Sequence, residues 1–296
     1  MPGEIKDLIK NESSVYIPSV IDSVLSAYGI SLKKRFGQNF LINRRIAEFI
    51  IGLINPDSSD RVVEIGPGLG ALTIPLARRV KEIVAIEIDR GLYRILKAIL
   101  NELKIHNVNL INRDFFKLDE GEKDLINNCE KLISNFPYSS GQRIIVEILE
   151  NYKNIRCITG TLQKEVAERF CAGPGSKNYG FISVWVQFLS HVKIQKKELK
   201  PGNFYPAPDV KSSIVSLTPV KRNYNNYAWF KDFLRCAFKN RRKSLINNIV
   251  TCFKIKEIKR ELLENFIKER FRDLKVRAEN LRLEDFLSLA DIIDII

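Results

Sequence analysis

"VVEIGPGLGALT", residues 62–73, runs from a β-rich apolar segment straight into Gly66, Gly68 and Gly70. A short Val/Ile run that stops at glycines reads as a buried strand ending in a sharp turn. Glycine permits the turn and lets a ligand approach the backbone closely. The pattern recurs downstream in "EIVAIEI" (82–88), "VNLIN" (108–112), "KLISN" (131–135) and "IRCITGTL" (155–162). Helical stretches lie between them, to about Val80, from about Arg90 to Leu103 and from about Gly141. Short apolar runs alternating with amphipathic helices predict an α/β fold, a Rossmann-like sheet that is mostly parallel and covered on both faces. "HVKIQKKEL" (191–199) and "SSIVSLTPV" (212–220) have no long helix between them, so they are expected to pair antiparallel at the sheet edge.

Outward from this sheet the chain changes character. Residues 1 to about 17 read as a polar, poorly fixed extension, followed by a helix in "IPSVIDSVLSAYGI" and a basic run, "SLKKRFGQNFLINRR". Beyond Val220 the β-rich runs stop. "WFKDFLRCAFKNRRKSLINNIV" and "IKRELLENFIKERF" read as helices. The expected division is an N-terminal extension and helix over 1–30, a sheet domain over 31–220 and a small all-helical domain over 221–296.

The formal net charge is +13, and residues 221–260 alone carry twelve Lys/Arg against two Asp/Glu. An excess of this size, concentrated in one segment, points to a polyanionic partner, with nucleic acid foremost. Five scattered cysteines without CxxC spacing and only two histidines argue against a metal site and against a disulfide scaffold. Reduced thiols in a cytoplasmic protein are expected. The N-terminus lacks the apolar core of a signal peptide, and no apolar run is long enough to span a bilayer.

In an open parallel sheet, ligands sit beyond the carboxyl ends of the strands. Glu87 ends the second strand, where a carboxylate can accept both hydroxyls of a ribose. Asp114, in "NRDFF", follows the third strand, beside where an adenine would lie. Gly66, Gly68, Ala71 and Glu87 also satisfy the loose dinucleotide fingerprint, so a dehydrogenase is a rival at this point. Glu64 and Asp114 favour an adenosyl-sulfonium cofactor. Such a cofactor has no pyrophosphate and needs polar side chains for its charged amino-acid tail.

The fourth run ends in "NFPY", residues 135–138. An exocyclic amine on a base is a poor nucleophile, because its lone pair is delocalised into the ring. Two acceptors for its two N–H hydrogens would favour a pyramidal nitrogen. The Asn135 amide oxygen is one, and a backbone carbonyl held by the rigid Pro137 is the second. Tyr138 can stack on the base. Phe204, in "NFYPAPDV", is expected to close the target pocket opposite Tyr138. The plainer alternative makes Asn135 a helix cap and leaves Tyr138 and Phe204 as core.

At these residues the chain resembles the ribosomal RNA adenine dimethyltransferases of the KsgA type. The likeness runs from about Ser31 to Ala290 through "GQNFLI", "EIGPGLGALT", "NFPY", "LQKEVAERF", "PGSKNYG", "FYPAPDVKSSIVSL", "AFKNRRKSLINN" and "RAENLRLEDFLSLA". The resemblance implies a class I methyltransferase sheet with S-adenosyl-L-methionine as cofactor. Asn39 and Leu41 would help hold it, with Gly66 at its tail, Glu87 at the ribose, Asp114 at the adenine and Asn135 near the methyl. It implies dimethylation of two adjacent adenosines near the 3′ end of small-subunit rRNA, within a pre-30S particle and by a monomer. Phe136 stands where the family usually has leucine, and Ser139, Ser140 and Gly141 where it often has Asn-Ile-Ser. The related Erm enzymes, which act on large-subunit rRNA, usually carry a lysine where this chain has Leu69. A non-catalytic nucleic-acid-binding relative is a third reading, and the intact Asn-x-Pro-Tyr argues for an active enzyme.

Overall fold

Nine strands follow one another among the described residues: β1 (Phe40–Leu41), β2 (Arg61–Ile65), β3 (Glu82–Glu87), β4 (Val108–Asn112), β5 (Lys131–Asn135), β6 (Cys157–Gln163), β7 (Ser190–Leu199), β8 (Phe204–Tyr205) and β9 (Ser212–Pro219). The structure is a computed structural model and describes residues 2–31, 39–222, 224, 226–253 and 257–295. Part of the basic run expected after the first long helix, residues 32–38, lies outside the described residues.

Seven strands form one sheet in the order β4-β3-β2-β5-β6-β9-β7. β4, β3, β2, β5 and β6 pair parallel, and β9 runs antiparallel against β6. This is the expected sheet with its antiparallel edge. Residues 62–65 are all buried, as helices on both faces require, which is why β2 reads as a continuous apolar run rather than an alternating one. The chain moves outward from β2 to β3 and β4, then returns to β5 on the other side of β2. That reversal opens a crevice at the carboxyl ends of β2 and β5. It brings Gly66 and Asn135 to one place. β1 and β8 form a separate antiparallel pair, with Phe40 opposite Tyr205 and Leu41 opposite Phe204.

The chain divides into two compact units, residues 1–167 with 193–219, and residues 168–192 with 220–296. Two expectations need correction. The N-terminal stretch is part of the first unit's core: Ile5, Ile9 and Val15 are buried, in and beside a helix over Pro2–Leu8 and a 3-10 turn over Glu12–Tyr16. Its apolar residues are few but fall where those short helices face inward. The second unit also begins earlier than Val220, because the helix Phe181–Leu189 packs its Trp185 and Phe188 against Phe230.

The long helix expected over 229–250 is two helices, Tyr227–Ala237 and Leu245–Phe253. The break is stabilised from the second helix. Asn248, buried, donates to the carbonyls of Ala237 and Asn240, both at 2.9 Å, and so satisfies groups that a helix end leaves open. Cys236 and Cys252 face each other across this break and form a disulfide, with Cα atoms 5.8 Å apart. The expectation of reduced thiols is therefore corrected for these two; Cys129 and Cys157 are free thiols.

Candidate functional site

The glycine turn after β2 is left-handed at all three glycines, with φ of 69° at Gly66, 57° at Gly68 and 90° at Gly70. Side chains with a Cβ rarely adopt these angles, so the turn needs glycine. It forms one side of an open cleft of about 950 Å³, mouth included. Asn39, Leu41, Gly66 and Glu87 line this cleft, and so do Asp114, Asn135 and Pro137. Seven residues expected at a site, from five separate stretches of sequence, thus share one cavity.

Its electrostatics are set by two buried carboxylates. Glu87 accepts the N–H of Asp89 at 2.9 Å and of Gly68 at 3.2 Å, which ties the end of β3 to the glycine turn. Burial nevertheless pushes its pKa up to about 7. Glu64, on β2, is buried more completely, and its pKa is pushed up to about 8, chiefly by burial. Its Oε2 has no hydrogen-bond partner in the structure. A buried, unpartnered carboxylate oxygen at a cavity wall is expensive unless a cationic or donor group arrives to meet it. Asp114 accepts the N–H of Phe116 at 3.0 Å, caps a short 3-10 turn and lines the cleft.

Asn135 is held at both ends of its amide. Its Nδ2 donates to the Asn39 carbonyl at 2.8 Å. Its Oδ1 accepts the hydroxyl of Thr161, the residue directly opposite on β6. The two bonds fix which way the amide points. One lone pair of Oδ1 is left for a further donor. Thr161 escaped the sequence reading. The only signal was a pair of hydroxyl residues, Thr159 and Thr161, inside a strand that is otherwise apolar and, as it proves, buried.

"NFPY" divides its tasks. The Pro137 carbonyl accepts the N–H of Ser140 at 3.1 Å and of Gly141 at 2.8 Å, so it is committed to starting the helix Gly141–Asn151. The other carbonyl that the proline ring fixes is that of Phe136, between Asn135 and Pro137, which both line the cleft. Phe136 turns inward and is 1% exposed. Its ring fits because Gly160 faces it: a Cβ there would lie 1.9 Å from the Ser134 carbonyl oxygen and 2.9 Å from the ring. The leucine-to-phenylalanine departure is therefore a core substitution. Ser140 lines the cleft, whereas Ser139 is exposed.

Tyr138 is half-buried, and its hydroxyl is 2.5 Å from that of Ser212, at the start of β9. It does not line the cleft itself. Phe204 requires correction. It is 2% exposed, packed in the core of the first unit, and does not line the cleft. Directly opposed residues on paired strands point to the same face. Phe204 thus lies beside Leu41, which does line the cleft, and it acts as a support rather than a pocket wall.

The sequence pattern of the family described as ribosomal RNA adenine dimethylase matches residues 29–294. The chain belongs to that family. Relatives named ribosomal RNA small subunit methyltransferase A are 37% identical in Borreliella burgdorferi, over 92% of this chain and 92% of that one, and 36% identical in Bacillus licheniformis, over 90% and 93%. The crystal structure of a dimethyladenosine transferase from Plasmodium falciparum superposes with a TM-score of 0.72 at 25% identity, over 84% of this chain and 95% of that one. The 23S rRNA methyltransferase ErmE shares the fold, with a TM-score of 0.66 at 21% identity over 86% of this chain and 100% of that one. As a ribosomal RNA adenine dimethylase the chain is a methyltransferase, and the dehydrogenase reading of its glycine turn falls. The family and the class I methyltransferase fold imply use of S-adenosylmethionine.

Proposed function

We propose that this chain dimethylates the exocyclic amines of two adjacent adenosines near the 3′ end of small-subunit rRNA, using S-adenosyl-L-methionine held in the cleft. The names and near-full coverage of the curated relatives support the substrate. The observation that carries the chemistry is the Asn135 amide, fixed in orientation by Asn39 and Thr161 at the switch point of the sheet.

The cleft fits the cofactor on a specific point. The unpartnered Glu64 carboxylate oxygen offers a counter-charge to the ammonium of an amino-acid tail, which a dinucleotide would not supply. Gly66 would lie along that tail, Glu87 would accept the ribose hydroxyls, Asp114 would meet the adenine, and Asn39 and Leu41 would close the outer side. When bound, the cofactor supplies an electrophilic methyl group on a sulfonium.

The chain's own residues prepare the nucleophile. Asn135 Oδ1 and the Phe136 carbonyl would each accept one N–H of the target amine. Two such bonds favour a pyramidal nitrogen with its lone pair exposed. Tyr138, its ring anchored through Ser212, would stack on the adenine and offset part of the unstacking that brings the base out of the RNA. The methylated amine is acidic and sheds its proton readily, so no strong general base is required. Positioning and electrostatics carry the rate. The proposed setting is a monomer acting in the cytoplasm on a pre-30S particle.

The test is methyl transfer from labelled cofactor to small-subunit particles lacking the modification, followed by mapping of the modified bases. Dimethyladenosine at two adjacent positions near the 3′ end is expected. Label in large-subunit rRNA alone would overturn the substrate assignment.

A further inference from the structure

The stretch matched to the family begins at residue 29, yet the cleft has a wall that precedes it. Val15, 2% exposed, lines the same cleft as Glu64 and the glycine turn. The next residue, Tyr16, donates its hydroxyl to the Ala71 carbonyl at 2.6 Å, and Ala71 is itself a cleft residue at the end of the glycine turn. Burial raises the Tyr16 hydroxyl well above its ordinary pKa, and the neighbouring Glu48 adds to the shift, so it stays a donor throughout the working range.

The segment is fastened where it matters. Asn11 caps the 3-10 turn Glu12–Tyr16 by accepting the N–H of Ser13 at 2.9 Å. Glu12 pairs with Arg78 at 2.9 Å, just beyond the short helix Thr73–Ala77 that the glycine turn enters. Ser13 accepts from Arg44 at 3.0 Å, at the start of the helix that follows Leu41. One five-residue turn is thus attached to both chain segments that flank the cleft on that side. Further along, Asp22 accepts the hydroxyl of Tyr205 on β8 at 2.5 Å.

We propose that Val15 and Tyr16 belong to the cofactor site: Val15 is a wall in contact with the bound cofactor, and Tyr16 is a positioning residue that fixes the carbonyl end of the glycine turn. A polar extension would need none of these attachments. The proposal rests on the cofactor reading given above and adds residues to it.

Hydrogen exchange of the full chain, with and without saturating S-adenosylhomocysteine as probe, tests it. Amides of residues 12–17 should slow together with those of 66–72, while those of 228–237 stay unchanged. Slowing at 66–72 with no change at 12–17 overturns the proposal and leaves the cofactor reading standing. No slowing at either place overturns the cofactor reading, and this proposal with it. Tyr16→Phe supplies a second readout, since the ring that packs is retained. The dissociation constant for S-adenosylhomocysteine should rise about fivefold, the effect of one hydrogen bond, with kcat at saturating cofactor retained. An unchanged dissociation constant in the folded Tyr16→Phe protein removes Tyr16 from the site.

Discussion

The side-chain amide of Asn135 donates to the main-chain carbonyl of Asn39 at 2.8 Å, joining segments 96 residues apart. Both residues line the cleft, Asn135 at the proposed methyl-transfer point. With Thr161 donating to the other end of the amide, Asn135 cannot turn its oxygen away without losing two bonds. Thr161→Val keeps the shape of the strand and removes only the hydroxyl. We expect kcat to fall roughly five- to tenfold, the effect of one hydrogen bond of about 1 kcal/mol, with cofactor affinity unchanged. Thr161→Ser should restore the rate. Asn135→Ala should reduce kcat much further while still binding cofactor, since its amide acts on the target amine as the transition state forms. Single-turnover kinetics beside calorimetric titration separates the two effects, and wild-type turnover in Asn135→Ala would remove the mechanism.

Glu64 makes the protein sensitive to pH. Its pKa rises on folding, from 4.5 to about 8, so the folded state holds its proton more tightly than the unfolded chain does. That contribution to stability is complete below pH 4.5 and is lost as pH rises through about 8. Without cofactor, thermal stability should therefore decline across this window, and Glu64→Gln should flatten the decline. A cationic tail beside Glu64 favours its charged form, so cofactor binding near pH 7 should release protons. Calorimetry in buffers of different ionisation enthalpy measures that release, and buffer-independent enthalpies would exclude it.

The basic break between the two helices of the second unit is not uniform. Arg241 pairs with Glu279 at 2.9 Å and donates to the Lys177 carbonyl at 3.1 Å, so it is held within the protein. Lys239 and Lys243 line a shallow depression with Asn240, Asn247 and Thr251, and Arg242 is exposed nearby. Neutralising Lys239, Arg242 and Lys243 together should lower the log–log salt slope of RNA binding by about 2–3. Arg241→Ala should instead lower the stability of the second unit with a smaller change in slope. Filter binding across a salt series, with melting curves alongside, separates these outcomes.

Ser140 faces the cleft, and the second methyl transfer makes a demand the first does not. A monomethylated amine has one N–H left, and its methyl needs room to turn aside. Ser140→Leu should permit the first transfer and suppress the second, whereas Ser139→Leu, on the exposed neighbour, should leave the product ratio unchanged. Mass spectrometry of digested rRNA distinguishes mono- from dimethyladenosine. Equal dimethyladenosine yields from both variants would place the space elsewhere.

Phe204 is the cross-strand neighbour of Leu41, and both are buried. Phe204→Ala should lower stability by about 3–5 kcal/mol, the usual range for a buried phenylalanine. Where the protein remains folded, cofactor affinity should weaken, because Leu41 loses its backing. Urea denaturation gives the first quantity and titration the second. A variant of wild-type stability would contradict the buried placement.

Strands were the most legible part of this chain. β2, β4 and β5 are bounded by turn residues and consist of short apolar runs, and they begin and end where the sequence indicates. The cleft residues on strand ends were legible for the same reason, since glycines and acids at fixed places after each run are readable one run at a time. What escaped depended on distance in the chain. Thr161 matters through register with Asn135, 26 positions away, and Tyr16 through a carbonyl 55 positions away. Phe204 was misjudged because an aromatic between prolines looks the same in sequence whether it lines a pocket or fills a core. The break at 238–244 was hidden because "CAFKNRRKSL" contains neither proline nor glycine, and the residue that stabilises it, Asn248, lies in the next helix.

The placement of Phe181–Leu189 has a bearing on how the chain is made. This helix leaves the ribosome before two of the helices it packs against, the nearer being Tyr227–Ala237 and the last Leu283–Ile295. At about 5–20 residues per second, the interval before the last of them is available is roughly 5–20 s. During it Trp185 and Phe188 have only the chain already made for company. A nascent protein with an aromatic helix waiting for its partners invites capture by a chaperone at that point of synthesis. For the same reason a fragment ending near Pro219 would carry that helix without a core to enter, and cutting the chain there is a poor way to obtain the sheet unit alone.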